Sequence, residues 1–432
     1  MNLFDFSLKI NGYPLAKAQD TLRAIQAINK IEYSDYISVR KKEILDYHFN
    51  NNSFYRNFVE SSNKLWADLP VLKKRDLQIP LKERLSKGYN LQNVYINKTS
   101  GSTGTPFYFA KDKFTHALTW VIIKNRFGWH GLNSKKQARF YGIPNSFFQN
   151  TKERLKDFFA NRYRFDVFNL SPNALDKWIE NFKKTPYVYL NGYATVILAF
   201  AKYLASKNIV LKDICPSLEA CVVTSEMCFE NDKKIMEAAF GVSVINEYGA
   251  SELDLIAFEN NQYNWIINTE SLFVEILDDN NKVLPYREEG RIVITSLYNK
   301  AHPFIRYDIG DIGKLKFVNN KTIILEKLIG RKEDIVKLPS GKTSPGLTFY
   351  YVTKSIMEDS GIINEIKVFQ TDLNTFEIQY SGKEQLNLQQ EQNITKALYG
   401  YLEPNLIVTY KKVEQIERSA NGKLKQFTSL IN

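Results

Sequence analysis

Short apolar runs alternate with helical patterns between residues 187 and 245, and this alternation constrains the fold more than any other feature of the chain. Tyr187–Leu190, Leu218–Thr224 and Val242–Ile245 are short apolar runs that predict strands. Ala194–Ala205 and Asp232–Phe240, which lie between them, predict helices. Strands joined through helices require crossover connections, so the sequence predicts an α/β fold with mixed or parallel sheets.

The pattern differs on both sides of this region. The first part of the chain predicts helices and loops, with a helix over Leu15–Ile31. Over residues 265–317, short strands separated by polar turns predict an antiparallel meander or a small β-barrel-like region. From about residue 330, the sequence predicts further strands and a helix that together form a compact α+β unit. We therefore expect a large N-terminal domain over residues 1–329 and a small C-terminal domain over residues 330–432.

Composition and charge narrow the class of protein. Of the 432 residues, 44% are apolar and 24% charged, a balance typical of a folded globular protein. The formal charge of +11 would attract anions. The sequence has no basic stripe interleaved with aromatic residues, however, so we expect no nucleic-acid partner. Cys215, Cys221 and Cys228 predict neither a disulfide framework nor a zinc site. Without an apolar run of signal-peptide or membrane-span length, we expect a reduced, cytoplasmic protein that does not insert into a membrane.

The strongest local signal is the run Thr99–Pro106, which has the sequence Thr-Ser-Gly-Ser-Thr-Gly-Thr-Pro. Its small and hydroxyl residues offer many backbone N–H and side-chain O–H donors, and such a loop can close on phosphate oxygens. It lacks the Gly-Lys-Ser/Thr ending of the usual nucleotide P-loop. Taken alone, the run also fits a surface turn.

A second signal, Asn246–Glu252, directly follows the third predicted strand and has the sequence Asn-Glu-Tyr-Gly-Ala-Ser-Glu. Ligands in open α/β sheets bind at the carboxyl ends of strands. Tyr248 could stack on an aromatic base, Gly249 permits close backbone approach, and Glu252 could hold a hard cation through its oxygens. By itself, the motif equally fits a solvated turn.

Two further signals combine charged residues in ligand-binding patterns. Arg306–Asp311 and the following Gly330–Asp334 bring together carboxylates and arginines, which suit ribose hydroxyls and phosphates. The run Asn421–Lys423 adds a lysine near the C-terminus. Surface ion pairs and a solvated tail remain alternative interpretations of these segments.

Over about residues 98–425, these motifs occur in an order that resembles that of sequences in the adenylate-forming superfamily. The shared elements are the hydroxyl-rich loop, Tyr-Gly-x-Ser-Glu, Arg-Tyr-x-x-x-Asp, Gly-Arg-x-x-Asp and a late Gly-Lys. The short length, the sequence Tyr-Gly-Ala-Ser-Glu and the Arg-Tyr pair look most similar to the phenylacetate–CoA ligase group. That group also includes capsule-biosynthesis proteins and enzymes that adenylate a deazaflavin cofactor.

The resemblance implies a role for each motif in binding ATP. The residues that would cradle the β- and γ-phosphates are Ser100, Gly101, Ser102, Thr103, Gly104 and Thr105. Those that would wall the adenine are Ser225, Glu226, Met227, Tyr248 and Gly249. Asp311 would bind the ribose hydroxyls with support from Arg331, and Glu252 would help to place Mg²⁺. Lys423 would reach from a mobile C-terminal domain to the substrate carboxylate and the α-phosphate.

The acid-binding pocket has the weakest sequence signal. By resemblance, strand-end residues would line it, and the candidates are Tyr141, Asn191, Gly192 and Tyr193. Aromatic residues at strand ends also fit an ordinary hydrophobic core, so both interpretations stay open.

The resemblance implies ATP-dependent activation of a carboxylic acid to an acyl adenylate, followed by transfer to the thiol of CoA. One alternative acceptor is a sugar or a carrier protein in capsule or surface-polysaccharide biosynthesis. In another alternative, AMP stays on the substrate as the product. A non-catalytic nucleotide-binding relative is the third, although the retained Lys423, Asp311, Arg331 and Glu252 argue against it. A homodimer is expected only by analogy.

Overall fold

The computed structural model describes residues 3–61, 63–99, 107–142, 154–331, 335–345, 349, 363–382, 384–418 and 424–431. The chain divides into two compact units. The first unit comprises Met1–Ile309 and Lys314–Lys327, and the second comprises Gly310–Gly313 and Leu328–Asn432.

The described helices lie mostly in the first unit, and none has both the length and the apolar character that a membrane span requires. Their bounds are α1 Leu3–Ile10, α2 Leu15–Ala27, α3 Tyr33–Asn51, α4 Ser53–Val59, α5 Lys113–Gly128, α6 Pro172–Lys184, α7 Ala194–Ser206, α8 Leu211–Ile214, α9 Glu230–Phe240 and α10 Leu388–Tyr401. Short 3₁₀ turns occupy Trp66–Asp68, Lys74–Leu77 and Leu81–Glu83.

One 12-stranded sheet dominates the structure, and its strands follow the order β11-β12-β13-β14-β10-β9-β8-β7-β6-β4-β5, with β1 beside β13. Their bounds are β1 Leu72–Lys73, β4 Gln137–Phe140, β5 Arg162–Arg164, β6 Tyr189–Tyr193, β7 Ala220–Thr224, β8 Ser243–Ala250, β9 Asp254–Glu259, β10 Trp265–Ile267, β11 Leu272–Leu277, β12 Glu289–Ser296, β13 Tyr307–Asn319 and β14 Thr322–Arg331. A separate antiparallel hairpin pairs β2 Tyr95–Lys98 with β3 Tyr108–Lys111.

The predicted α/β fold is confirmed. Strands β5, β4, β6, β7 and β8 are parallel neighbours, and α7 and α9 are crossover helices between them. One core cluster packs α6, α7 and α9 on one face of these strands through residues such as Trp178, Phe200 and Phe240. A second cluster, which includes Leu22 and Leu118, packs α2 and α5 against Val222 and Ile245. The parallel strands are therefore covered by helices on both faces, as expected for such a sheet.

Strand β8 is longer than its apolar run predicts, since it continues through Ala250. Strand β7 ends at Thr224, opposite Glu247, and β9 pairs with the later part of β8 in antiparallel orientation. The buried Glu259 carboxylate accepts hydrogen bonds from the Asn246 backbone N–H (2.8 Å) and side-chain amide (3.3 Å). The second motif therefore lies largely within a strand rather than in a turn.

The second unit has its own small sheet, in the order β19-β18-β17-β20. Its strands are β17 Ile363–Asp372, β18 Thr375–Gly382, β19 Ile407–Lys412 and β20 Phe427–Ser429, and a hairpin joins β15 Ile335–Lys337 to β16 Thr343–Pro345. Helix α10 begins with a capping box, in which Asn387 and Gln390 bond to each other's backbone N–H. Ile394 and Leu398 of this helix are buried against the sheet.

Gly192 is required by the close approach of β6 to β4. A Cβ atom at this position would lie 2.2 Å from the carbonyl oxygen of Phe140. We expect Gly192→Ala to destabilise the protein by about 1–3 kcal/mol, because the strand must move to relieve the overlap. Urea unfolding followed by circular dichroism measures the change. Gly128→Ala is the matched control, since a Cβ there meets nothing within 4 Å; equal stability of the two variants would contradict the prediction.

The buried ion pair between Lys233 on α9 and Glu259 on β9 (2.7 Å) holds the helix to the strand that supports Asn246. We expect Lys233→Ala to lower the free energy of unfolding by about 3–5 kcal/mol, because Glu259 would lose its buried counter-charge. Lys234→Ala, at the exposed next position, should change it by less than about 0.5 kcal/mol. Similar unfolding midpoints in urea for both variants would show that the pair is not needed.

Candidate functional site

The Glu252 carboxylate lies just beyond β8 and is held by a residue from a distant motif. Its Oε1 accepts a hydrogen bond of 3.0 Å from the Tyr307 hydroxyl, although the residues are 55 positions apart. Glu252 is 7% exposed and Tyr307 is 1% exposed. Since a buried carboxylate needs hydrogen-bond donors, Tyr307 stabilises Glu252 in this position. The fold thus brings the Tyr-Gly-x-Ser-Glu and Arg-Tyr motifs into contact.

A buried lysine fixes the turn that carries Glu252. Lys111, the last residue of β3, donates to the Ser251 carbonyl over 3.0 Å and pairs with Asp254. The Asp254 carboxylate also accepts a 2.8 Å hydrogen bond from the Thr119 hydroxyl on α5. Lys111 was not a sequence candidate, and its signal would have been a single cation at the end of the apolar strand Tyr108–Lys111.

The two residues predicted to complete the adenine wall lie at the end of β8. The strand register shifts between Tyr248 and Gly249, which brings the backbone of β9 close. A Cβ at Gly249 would lie 2.5 Å from the Asp254 carbonyl oxygen, so only glycine fits without movement. Tyr248 is buried beside it. This geometry explains the glycine structurally, and the adenine contact stays a prediction.

The Ser225–Met227 segment follows β7 and begins in a left-handed conformation, with φ of 70° at Ser225. Glu226 Oε2 accepts hydrogen bonds from the Thr195 backbone N–H (2.9 Å) and hydroxyl (2.8 Å) at the start of α7. A carboxylate is favourable there, because the first N–H groups of a helix carry partial positive charge. Glu226 therefore caps α7, and Met227 is half-buried next to it.

Two of the predicted pocket residues meet through their rings at the carboxyl ends of β4 and β6. The Tyr141 and Tyr193 ring centroids are 4.9 Å apart, and the Arg139 guanidinium lies 4.0 Å from the Tyr141 centroid. Asn191 is buried within the sheet, where Gln137 donates to its Oδ1 (2.7 Å) and its Nδ2 donates to the Val222 carbonyl (3.1 Å). The two tyrosine rings therefore pack against each other, whereas the Asn191 amide joins neighbouring strands, and the predicted pocket role of these residues stays a prediction.

Glu247 and Arg139 give this part of the sheet edge opposite charges. Burial raises the pKa of the Glu247 carboxyl, whereas a hydrogen bond to Thr224 and the charge of Arg139 oppose that rise. Burial also raises the pKa of Tyr141, and the charge of Glu247 adds to the effect while Arg139 counteracts it. Neither charged residue was a sequence candidate, although Glu247 directly precedes Tyr248.

In the second unit, the structure brings together two residues predicted to bind ribose. Arg331 Nε lies 3.7 Å from Asp311 Oδ1, where β14 ends beside β13. The Asp311 side chain is largely shielded and Arg331 is half exposed, so the arginine can orient the carboxylate while both remain reachable from solvent. Ion pairs of this exposure contribute little to stability, and the ribose contact stays a prediction.

Arg306 is a structural residue. It is fully buried, and its Nη1 donates to the carbonyls of Ala67 and Leu69, each over 2.6 Å. Its Nε lies 3.6 Å from the buried Glu275 carboxylate. These contacts fasten the segment before β1 to the start of β13, so Arg306 acts on the site through the position of Tyr307.

The predicted phosphate loop, Ser100–Thr105, and the predicted catalytic Lys423 lie outside the described residues. For Mg²⁺, the described residues contain no cluster of three metal-ligating side chains, and Glu252 contributes a single carboxylate. That fits Mg²⁺ held mainly by nucleotide phosphates and water, which requires only one or two protein carboxylates.

Comparison with curated proteins and family models gives one relative. No protein family model matches the chain. The chain is 23% identical over 352 residues to protein CapK of Staphylococcus aureus, and the alignment covers 76% of each protein.

Several solved structures are similar to this chain in fold, and the first of them matches over more of the chain than CapK does. 2-Hydroxyisobutyryl-CoA ligase in its postadenylation state, in complex with R3-HIB-AMP, matches with a TM-score of 0.72 and 15% identity, over 93% of this chain and 90% of that one. ATP-bound MatB from Rhodopseudomonas palustris matches with a TM-score of 0.53 and 14% identity over 75% and 64%. The amide bond synthetase McbA from Marinactinospora thermotolerans matches with a TM-score of 0.54 and 13% identity over 77% and 67%. The chain therefore has the fold of the adenylate-forming ligases.

Proposed function

We propose that this protein activates a carboxylic acid with ATP, producing an acyl adenylate and pyrophosphate. The observation that carries the proposal is the hydrogen bond between Tyr307 and Glu252, because it joins two of the motifs shared with adenylate-forming enzymes at the carboxyl edge of the sheet. The likeness in fold to ligases that include one solved with an acyl-AMP ligand supports the same reaction class.

In the proposed reaction, the acid's carboxylate attacks the α-phosphate, and pyrophosphate leaves. Both reactants are anionic, so the reaction needs positive charge at the attacked phosphate. A bound Mg²⁺ would supply part of that charge through Glu252. Lys423 would supply the rest, from the small C-terminal domain over residues 330–432. Asp311, supported by Arg331, would hold the ribose, and Tyr248 would cover the adenine.

The acceptor in our leading proposal is the thiol of CoA. Similarity in fold to 2-hydroxyisobutyryl-CoA ligase and to an anthranilate CoA ligase supports this choice. Similarity to CapK favours a second candidate, transfer of the acyl or aminoacyl group to a sugar or carrier during capsule or surface-polysaccharide assembly. Both candidates share the adenylation step, so that step is tested first.

Lys423→Ala and Glu252→Gln test adenylation. We expect each to reduce acid-dependent pyrophosphate exchange into ATP by about 100-fold or more, because Lys423→Ala removes a positive charge from the attacked phosphate and Glu252→Gln weakens the proposed binding of Mg²⁺. A panel of aromatic, aliphatic, hydroxy and amino acids identifies the acid class. Lys411→Ala, an exposed lysine of the same unit, serves as the control and should exchange normally. Exchange that survives both test substitutions would refute these roles, and no exchange with any acid would favour a non-catalytic relative.

Tyr307→Phe tests whether the hydroxyl positions Glu252. The ring packing against Phe304 (centroids 5.2 Å apart) should persist, so the fold should remain intact. We expect the Mg²⁺ concentration that supports half-maximal exchange to rise about 10–100-fold, as for other residues that orient metal ligands. Tyr263→Phe, at an exposed tyrosine, provides the comparison. An unchanged Mg²⁺ dependence in Tyr307→Phe would show that this hydrogen bond has no such role.

A further inference from the structure

A cleft of about 500 Å³ lies between β5 and α6, apart from every site residue named above. Its described lining includes three basic side chains, Arg154, Arg164 and Lys177, and one acidic side chain, Asp166. Tyr163 in this lining is 44% exposed, so the cleft reaches the solvent on that side. Its excess of positive charge favours an anionic ligand.

The cation at the base of this cleft is rigidly held. Arg164 Nε donates to Asp157 Oδ2 (2.8 Å) and its Nη2 donates to Oδ1 (3.0 Å), and its side chain is only 9% exposed. Arg162 pairs with the same carboxylate. Although burial opposes the effect, the two arginines lower the pKa of Asp157, so the carboxylate stays ionised at neutral pH. Two guanidinium groups and one carboxylate therefore lie together beside the cleft.

The rest of the lining suits hydroxyl groups. Asn169, Ser171, Asn173 and Asn181 contribute amide and hydroxyl groups, which both donate and accept hydrogen bonds. Tyr163 adds an aromatic ring that is 44% exposed and can cover a flat or cyclic ligand group. An inorganic anion would leave the acceptor oxygens of these side chains unused, so the lining favours an anion attached to a ring or chain that carries hydroxyl groups.

The position of the cleft connects it to the predicted acid pocket. Strands β4, β5 and β6 run parallel, and Arg164 is the last residue of β5, so the cleft lies at the carboxyl edge where such sheets bind ligands. Arg164 Nη1 donates to the Gly142 carbonyl (3.3 Å), and the Gly142 backbone also hydrogen-bonds to Tyr193. The ring of Tyr141, the neighbour of Gly142, packs against the ring of Tyr193 in a tilted arrangement. One short segment thus borders both sites.

We propose that this cleft binds the phosphate-bearing, hydroxyl-rich part of the acceptor that receives the activated acyl group. The proposal rests on the adenylation function above. In the transfer, the acceptor's sulfur, nitrogen or oxygen forms a bond to the acyl carbon, the bond between that carbon and the AMP oxygen breaks, AMP leaves with the electron pair, and the acceptor's proton passes to water. CoA and a nucleoside diphosphate sugar are the two sources of this ligand chemistry.

Binding to the purified full chain tests the proposal by isothermal titration calorimetry with CoA, uridine diphosphate glucose, glucose 6-phosphate and glucose. We expect saturable binding of at least one phosphate-bearing probe, and much weaker binding of glucose. Lys177→Glu should weaken that binding by about tenfold or more, because a charge-assisted contact becomes a repulsion. Asn173→Asp, on the same face of α6, should weaken it in the same direction. Lys184→Glu makes an identical charge change on α6 outside the cleft and should leave binding unchanged.

The outcomes separate the two proposals. Absence of saturable binding by all three phosphate-bearing probes, or binding that neither Lys177→Glu nor Asn173→Asp weakens, would overturn the acceptor cleft. Acid-dependent pyrophosphate exchange requires no acceptor and is measured on the unsubstituted protein. Failed exchange with intact cleft binding would therefore refute adenylation alone. A preference for CoA over the sugar nucleotide would identify thioester formation, and the reverse preference would identify transfer to a sugar.

Discussion

The arrangement of the first unit depends on β8, the strand at which the sheet changes direction. It pairs in parallel with β7 on one side and antiparallel with β9 on the other. Glu259 secures this junction, because its carboxylate binds both the polar strand residue Asn246 and the buried Lys233. Without these contacts, burying Asn246 in a strand would carry a large desolvation cost. Glu252, Tyr248 and Gly249 all take their positions from the end of this strand.

The sequence predicts most of the parallel half of the sheet because periodicity there is local. Helices α7 and α9 and strand β7 match their apolar patterns to within about two residues. The extension of β8 was not predicted, since Asn246 and Glu247 interrupt the apolar run. Strand β9 was not predicted either, although Leu255–Phe258 is a short apolar run. Asn246 and Glu247 are polar, and hydrogen bonds to residues of other strands compensate for their burial. Asn246 bonds to Glu259 and Glu247 bonds to Thr224, and a local sequence pattern cannot show such contacts.

The candidate site likewise contains residues that a local motif predicts and contacts that only tertiary packing creates. Motif order led to Glu252, Tyr248 and Asp311, and the structure shows that Asp311 lies near its predicted companion Arg331. Lys111 and the contact of Tyr307 with Glu252 depend on tertiary packing between distant segments, so no spacing rule could indicate them. Gly192 and Gly249 illustrate a further limit of sequence reasoning. Both were candidates for ligand contact, yet close strand approach already requires glycine at each position.

The nature of the groups around Glu252 bears on the proposed metal role. A neutral phenol holds this carboxylate, and no basic side chain within the described part of the chain forms an ion pair with it. The nearby cation Lys111 is instead paired with Asp254 and bonded to the Ser251 carbonyl. A cation that approaches a carboxylate held by a neutral donor meets no competing ammonium group, whereas a carboxylate paired with lysine would bind a cation less well. This electrostatic arrangement supports the proposal that Glu252 would help to hold Mg²⁺ bound with ATP.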